Sequence, residues 1–184
     1  MSVPAQPRPH GPLIIALHWI IAVLFLAAFI LGEIMEEVPR GDARLTVMGW
    51  HLLAGSAIFA LFLPRLLTRF FGRWTSDGAG PDWARRGATL VHAAFYGLMI
   101  ALPFTGFFAI ASGRSPVPLW GNIELNPFLD LHFLHEAMEE THEFLVSLLI
   151  AVVAAHVAGV LWHKFVRRDG VWERMWPFGS HHAG

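Results

Sequence analysis

The chain has 184 residues, of which 55% are hydrophobic and only 15% are charged. Because an average soluble domain carries about 25% charged residues, this composition indicates a protein embedded in lipid. The chain contains no cysteine, which excludes disulfides, thiolate metal sites, iron–sulfur clusters and covalently attached c-type haem. A metal cofactor must therefore be held by histidine, methionine or carboxylate side chains.

Four apolar runs, residues 12–34, 48–67, 88–112 and 144–166, reach the length of about 20 residues that a helix needs to cross a bilayer. The runs are apolar on all sides, whereas a helix of a soluble bundle exposes a charged face. Away from their ends they contain no charged residue. We predict an all-α fold, a four-helix transmembrane bundle, with residues 1–184 forming one membrane domain without internal repeats.

The longest connection between these predicted helices runs from Gly113 to Thr141. It contains the sequence LDLHFLHEAMEETH, whose apolar spacing predicts a short amphipathic helix on the outer surface. Within the third helix, Pro103 is expected to introduce a kink, which a membrane helix tolerates.

The basic residues predict the orientation of the helices. The N-terminal segment, the second loop with its flanks, and the C-terminal tail hold ten of the thirteen lysines and arginines. The first and third loops hold three arginines and ten acidic residues. By the positive-inside bias, both termini of this multi-pass protein are expected in the cytoplasm.

Histidines are concentrated in the apolar runs. Six of the eleven lie within the runs or at their ends: His18, His51, His92, His142, His156 and His163. Ionisable residues at membrane depth are energetically costly, so each of them is a candidate functional residue. The alternative for any single histidine is a neutral imidazole that is hydrogen-bonded to a backbone carbonyl.

The depths of four histidines suggest two pairs. His142 and His156 are fourteen residues apart, which in an α-helix is about 21 Å along the axis and about 40° short of four full turns. They therefore share one helix face near opposite membrane surfaces, with His51 level with the first and His18 level with the second. Two opposed imidazoles are the axial ligands of a six-coordinate b-type haem. Such haem is held without covalent attachment, in agreement with the absence of cysteine.

Two other histidines leave alternatives open. His92 lies at the depth of the inner pair and is an alternative ligand to His18. His163, near the cytoplasmic boundary, is either a proton donor to a membrane-dissolved substrate, since an imidazole titrates near neutral pH, or an interfacial residue beside Trp162 and Lys164.

A further cluster opens the fourth helix. It consists of His132, His135, Glu139 and His142. The cluster lacks the HExxH spacing of a zinc protease, and we interpret it as part of a solvated acidic helix rather than a metal site.

Several segments resemble the bacterial cytochrome b561 family in their order and spacing over essentially the whole chain. The segments are HWIIAVLF, HLLAG, PRLLTR, LVHAAFYGLMIALPFTG, GRSPVPLWG and HEFLVSLLIAVVAAHVAGVLWHKF. The resemblance implies a bacterial inner-membrane cytochrome with two non-covalent haem b groups. By the same resemblance, His18 and His156 bind the inner haem iron, and His51 and His142 bind the outer one.

The chain resembles compact members of that family that look like superoxide oxidases, which oxidise periplasmic superoxide and reduce ubiquinone. This resemblance implies a superoxide:ubiquinone oxidoreductase. Its ubiquinone would bind near His163, with Arg86 and Trp74, and His163 would take part in catalysis. Arg114 in the outer loop would attract or position the superoxide anion.

Two other functions are alternatives, and no nucleic-acid partner is expected. The first is an electron-relay anchor that passes electrons from a periplasmic dehydrogenase or hydrogenase to quinone, which the acidic outer loops suit at least as well as they suit an anion. The second is a histidine-lined cation transporter, which requires polar residues at the midplane. The helix centres are almost bare of polar residues, which argues against transport.

Overall fold

The computed structural model describes residues 11–71, 81–120, 123–129 and 131–176. Four long helices dominate this part of the chain: α1 (Pro12–Glu37), α2 (Asp42–Phe71), α3 (Asp82–Ala111) and α4 (His132–Leu161). A six-residue π-helical turn, Trp162–Arg167, continues α4. Between α3 and α4, two short strands, β1 (Val117–Trp120) and β2 (Ile123–Leu125), pair as an antiparallel ribbon. The predicted all-α, four-helix fold is confirmed, with this ribbon as an unforeseen addition.

The four helices are long and apolar enough to cross a membrane. Helices of 26 to 30 residues rise about 39–45 Å, which exceeds the roughly 30 Å of a bilayer's hydrocarbon core. Large apolar side chains point outward along them, and Leu26 in the middle of α1 is 61% exposed. Lipid accepts such a surface where water does not. The chain is therefore a multi-pass membrane protein.

The start of the fourth helix differs from the prediction. α4 begins at His132, twelve residues before the predicted start at residue 144. The prediction of a separate amphipathic helix over LDLHFLHEAMEETH is wrong, because residues 132–142 of this segment form the first turns of α4. The physical reason is that no glycine or proline interrupts the sequence between His132 and Ala158, so nothing favours ending one helix and starting another.

The bundle consists of two helical hairpins. The most extensive helix contacts are those of α1 with α2 and of α3 with α4. Buried apolar side chains fill the middle of the bundle: Ile21, Ala28, Ile58, Phe62 and Met99 in one cluster, and Leu98, Leu102 and Leu149 in the other. Phe25 of α1 packs against both clusters. The apolar core therefore forms a central layer that joins the hairpins.

The two ends of the bundle are built differently. At the end where α1 and α3 begin and α4 finishes, here called the terminal end, the chain after the π-helical turn folds back onto α1. Trp19 Nε1 donates a hydrogen bond to the Met175 carbonyl at 2.7 Å, and Trp19 also contacts the ring of Trp176. At the opposite end, here called the hairpin end, β1 packs against α2.

We predict that Gly49→Ala destabilises the protein. A Cβ at Gly49 would overlap the carbonyl oxygen of Pro118 in β1, so the ribbon would have to move away from α2. Overpacking of this kind typically costs about 1–3 kcal/mol. The measurement is the thermal unfolding midpoint of the detergent-purified protein. Gly87→Ala is the matched control, because a Cβ there meets nothing within 4 Å; equal midpoints for the two variants would contradict the predicted contact.

Candidate functional site

Two pairs of imidazole rings face each other inside the bundle. Near the hairpin end, the ring centroids of His51 on α2 and His142 on α4 are 6.1 Å apart. Nearer the terminal end, the ring centroids of His18 on α1 and His156 on α4 are 6.3 Å apart. The two pairs are here called the hairpin-end pair and the terminal-end pair. Along α4, fourteen residues separate the two levels, a rise of about 21 Å.

The spacing within both pairs fits one metal ion held between two imidazoles. A bond from a metal to an imidazole nitrogen is about 2 Å long, so two bonds and two half-rings together span roughly 6 Å. Both centroid separations, 6.1 Å and 6.3 Å, agree with this sum. The residues present therefore fit an iron with two axial histidine ligands at each level, as in a six-coordinate haem.

The hairpin-end histidines are held in a ligand-ready tautomer. Nδ1 of His51 lies 2.8 Å from the carbonyl oxygen of Ala28, and Nδ1 of His142 lies 3.0 Å from that of Leu102 and 3.0 Å from the Thr105 hydroxyl oxygen. Because a carbonyl oxygen only accepts, each Nδ1 donates the proton, and Nε2 keeps the lone pair that binds a metal. The alternative of a carbonyl-bonded imidazole thus describes only one nitrogen of each ring.

Two glycines, Gly32 and Gly106, leave space for the rings of His51 and His142. Gly32 lies one turn after Ala28, and Gly106 lies one turn after Leu102. A Cβ on Gly106 would lie 3.2 Å from Cε1 of His142, whereas one on Gly32 would lie 3.7 Å from Cε1 of His51. The first distance is tighter than ordinary van der Waals contact and the second is not. Glycine is therefore needed more strictly at position 106.

These contacts reveal matching positions in the two hairpins. In each hairpin, the carbonyl acceptor follows a histidine by ten residues, and the glycine follows the acceptor by four. The residues are His18, Ala28 and Gly32 in the first hairpin, and His92, Leu102 and Gly106 in the second. Fourteen residues after the hairpin-end histidine, α2 carries Arg65 and α4 carries His156. No internal repeat was expected from the sequence, because mainly the spacing recurs and the residue types largely differ.

His156 has two imidazole neighbours. The ring centroid of His92 lies 5.7 Å from that of His156, slightly closer than that of His18. His92 is on α3, which packs directly against α4, whereas His18 is on α1 in the other hairpin. A haem between two ligand helices requires space that directly packed helices do not leave. The arrangement therefore favours His18 over His92 as the partner of His156, by analogy with the cross-hairpin pair His51 and His142.

His163 forms a dyad with a carboxylate that the sequence analysis missed. Its Nδ1 donates to Oδ2 of Asp169 at 2.8 Å, and both side chains are only about 15% exposed. Nε of Arg167 lies 3.6 Å from the same oxygen. The pair meets because Arg168 adopts the left-handed conformation, with φ of 52°, and its backbone N–H donates to the His163 carbonyl at 2.7 Å. The chain reverses there and returns Asp169 to the ring.

The dyad keeps the carboxylate ionised. Burial by itself would raise the pKa of the Asp169 carboxyl. The hydrogen bond and charge of His163, the hydrogen bond from the Val171 backbone N–H and the charge of Arg167 together outweigh burial and hold the pKa below its ordinary value. The ionised carboxylate accepts the Nδ1 proton of His163 and thereby leaves Nε2 of that ring directed at other groups. A short π-helical turn of this type is frequent at functional sites.

The remaining predicted site residues are spread over both ends. Arg86 is exposed near the start of α3 at the terminal end, where the rings of Trp83 and Trp162 join α3 to the π-helical turn at 5.3 Å. Arg114 is exposed just after α3 at the hairpin end. Trp74 lies outside the described residues.

Residues of the cluster at the start of α4 contact groups of the protein in the described part of the chain. His135 donates from Nδ1 to the Ala109 carbonyl at 2.7 Å, and its Nε2 lies 3.7 Å from a carboxylate oxygen of Glu139. Among the described residues, no group of three or more histidines and carboxylates could hold a metal ion. The side chain of His132 is not among them. Glu139 and its acidic neighbours on this helix are exposed, in agreement with the interpretation as an acidic helix.

The chain is similar to known proteins over nearly its full length. The family model of prokaryotic cytochrome b561 matches residues 9–178. Cytochrome b561 homolog 1 of Escherichia coli (strain K12) is 27% identical over 171 residues, which cover 89% of this chain and 94% of that protein. The probable superoxide oxidase CybB of Yersinia pestis is 26% identical over 173 residues, 92% of this chain and 97% of that protein.

A third relative, cytochrome b562 of Cereibacter sphaeroides, is 25% identical over 175 residues, which cover 92% of this chain and 96% of that protein. Membership of this family implies a b-type haem, and the facing imidazoles described above fit that cofactor. A match over residues 9–178 covers nearly all of the sequence. The chain therefore belongs to the prokaryotic cytochrome b561 family of membrane electron-transfer proteins.

Proposed function

We propose that this protein is a dihaem cytochrome that oxidises superoxide at the periplasmic face of the bacterial inner membrane and reduces ubiquinone at the cytoplasmic face. The observation that carries the proposal is the presence of two facing imidazole pairs, with ring centroids 6.1 Å and 6.3 Å apart, at two levels of one bundle. With both termini in the cytoplasm, as the positive-inside bias predicts, the hairpin end is the periplasmic end.

In this proposal His51 and His142 bind the outer haem iron, and His18 and His156 bind the inner one. A haem iron between two imidazoles accepts and gives up one electron at a time. The helices also leave open space beside the ligands: a Cβ on Gly55, one turn after His51, or on Gly159, nearly one turn after His156, would meet nothing within 4 Å. Small residues at these two positions would admit a flat macrocycle beside the helix.

Two sites suit the stoichiometry of the proposed reaction. Each of two superoxide anions loses one electron and becomes molecular oxygen, and one ubiquinone gains two electrons and two protons and becomes ubiquinol. The electrons cross from the hairpin end to the terminal end, and the protons come from the side where the quinone binds. A chain with two one-electron sites can hold two electrons before the quinone takes them.

Arg114 is the candidate for attracting superoxide. It is exposed at the hairpin end, and an arginine remains positively charged at any physiological pH. The acidic residues of the outer loops repel an anion at long range, but salt screens this repulsion beyond about 8 Å. The name of the Yersinia pestis relative, a probable superoxide oxidase, supports the choice of substrate.

The His163–Asp169 dyad is the candidate for delivering a proton to the quinone. Nδ1 of His163 donates a hydrogen bond to Asp169 with 2.8 Å between the nitrogen and the oxygen. In the imidazolium form of the ring, the proton on Nε2 is the one that would pass to a quinone oxygen, and the ring would then be left neutral with its proton on Nδ1. Arg86, exposed at the same end, and Trp74, outside the described residues, complete the set that the family resemblance suggested. A positioned general acid typically contributes 10²–10⁴-fold to a rate.

The acidic surface at the hairpin end favours one alternative, an electron-relay subunit that accepts electrons from a periplasmic protein. The first turns of α4 carry exposed glutamates: Glu136, Glu139, Glu140 and Glu143. Such a surface complements a basic protein partner and would speed its association. The alternative retains both haem sites and the quinone site, and differs only in the electron donor.

The haem count tests the ligand assignment. The purified protein should contain two b-type haems per chain by pyridine haemochrome assay, with bis-histidine spectra. His51→Ala or His142→Ala should remove one haem, and His18→Ala or His156→Ala should remove the other, because each iron loses one axial bond. His92→Ala is the control and should retain both. A wild-type ratio near one, or loss of haem in His92→Ala with retention in His18→Ala, would show that the pairing is wrong.

The glycine contacts offer a matched pair of variants at the outer haem. Gly106→Ala should alter the spectrum or lower the occupancy of the outer haem, because the added methyl lies 3.2 Å from Cε1 of His142 and displaces the ring. Gly32→Ala should leave both haems unchanged, since its methyl lies at an ordinary 3.7 Å from His51. Visible spectra of the reduced proteins provide the measurement. Equal effects of the two changes would mean that this clearance does not govern ligation.

Turnover tests the substrate assignment. The isolated protein in proteoliposomes should reduce a short-chain ubiquinone when superoxide is generated outside, with two superoxide anions consumed per quinol formed. His163→Gln should slow quinol formation about 100-fold, as expected for the loss of a proton donor, and Asp169→Asn should slow it to a lesser extent. In both variants superoxide should still reduce the haems, as measured by their visible spectra.

Two outcomes would change the assignment of the electron donor or of the proton donor. Quinone reduction that requires an added periplasmic protein would favour the relay. Full quinol formation by both variants at the terminal end would exclude the dyad as the proton donor while leaving superoxide oxidation intact.

A further inference from the structure

Arg65 occupies on α2 the position that a haem ligand occupies on α4. It follows His51 by fourteen residues, the interval that separates His142 from His156. Fourteen residues of α-helix end about 21 Å further along the axis and about 40° from the starting direction. Arg65 therefore lies on the face of α2 that carries His51, at the level of the terminal-end pair.

The surroundings of Arg65 hold it at that level. The half-buried guanidinium is close enough to both His18 and His156 to interact with them electrostatically. It also donates a hydrogen bond to Tyr96 on α3, one turn after His92, and the Tyr96 ring in turn contacts Phe62 at 5.7 Å. The arginine is thus tied to a partner on another helix, beside the terminal-end pair.

A cation in this place has a definite effect on a redox site. Arginine cannot lose its proton in a protein, and a fixed charge acts more strongly inside a membrane protein than in water because the local dielectric constant is low. The oxidised form of a haem carries one more positive charge than the reduced form. A neighbouring cation therefore disfavours the oxidised form and raises the midpoint potential.

We propose that Arg65 supplies a fixed positive charge at the inner haem and raises its midpoint potential relative to the same site without that charge. This inference rests on the dihaem function proposed above. Arg65 is a tuning residue and not a ligand, since a guanidinium has no lone pair to give to iron. Two haems with identical axial ligands thereby differ in potential, and electrons are drawn from the hairpin end toward the terminal end.

The experiment is a spectroelectrochemical titration of the purified dihaem protein, with the outer haem as internal reference. Arg65→Gln should lower the ratio of reduced to oxidised inner haem at a fixed potential about tenfold, on the scale expected for one charge at an effective dielectric constant of about 20. For a one-electron couple this is a shift of about 59 mV. Arg65→Lys, which keeps the charge, should retain most of the wild-type potential.

Arg85→Gln is the matched control, because Arg85 is an arginine at the same end that is 52% exposed and pairs with Asp82. Its removal should leave both potentials unchanged. An inner potential that is unaltered in Arg65→Gln, or lowered equally in Arg65→Lys, overturns the proposal.

Loss of the inner haem from Arg65→Gln still leaves the Arg65→Lys variant to decide the question. Retention of that haem at its normal potential in the lysine variant supports a requirement for charge, and its loss there too overturns the proposal in favour of a steric role. Failure of the dihaem function is distinguishable, because it appears in the wild-type haem count before any Arg65 variant is measured.

Discussion

The rest of this molecule depends on pairs of imidazole rings that come from different helical hairpins and lie about 6 Å apart, a spacing that fits one metal ion between them. His51 and His142 belong to different hairpins, and so do His18 and His156. The spacing within each imidazole pair therefore depends on the distance between the two hairpins. The central apolar layer brings them together between the two levels, where Leu149 lies seven residues from both His142 and His156 and is buried. The histidine pairs lie at the two levels, and apolar side chains pack between them.

Each hairpin positions its hairpin-end histidine with the same local arrangement, here called the device. A backbone carbonyl on the first helix of each hairpin accepts the Nδ1 proton of a histidine on the second helix, and a glycine one turn later leaves room for the ring. The device fixes the proton on Nδ1 and leaves the lone pair on Nε2 without any charged partner, which suits a site in lipid where a carboxylate would be costly. The two hairpins differ at the other level, where α2 carries Arg65 at the position that corresponds to His156 on α4.

Particular residues show which features of the fold and the site could be predicted from the sequence. The four helices and the matched depths of the four histidines followed from apolar run length and from helical rise, because both depend only on the regular geometry of one chain segment. The start of α4 was misplaced, since a change from lipid to water along a continuous helix leaves no break in the backbone. Asp169 was missed because its approach to His163 depends on the left-handed turn at Arg168, a conformation that the arginine itself does not favour.

By itself, the sequence determined that this protein lies in lipid, that its spans are helical and at which depths its histidines lie, because each of these properties follows from composition or from a fixed rise per residue. Only the tertiary structure decided which helices pack as hairpins and which rings face each other. It also decided which nitrogen each hairpin-end ring offers and which cation stands beside the terminal-end pair. These properties depend on the rotation of one helix about its axis relative to another, and that rotation is fixed by side-chain packing between segments far apart in the chain.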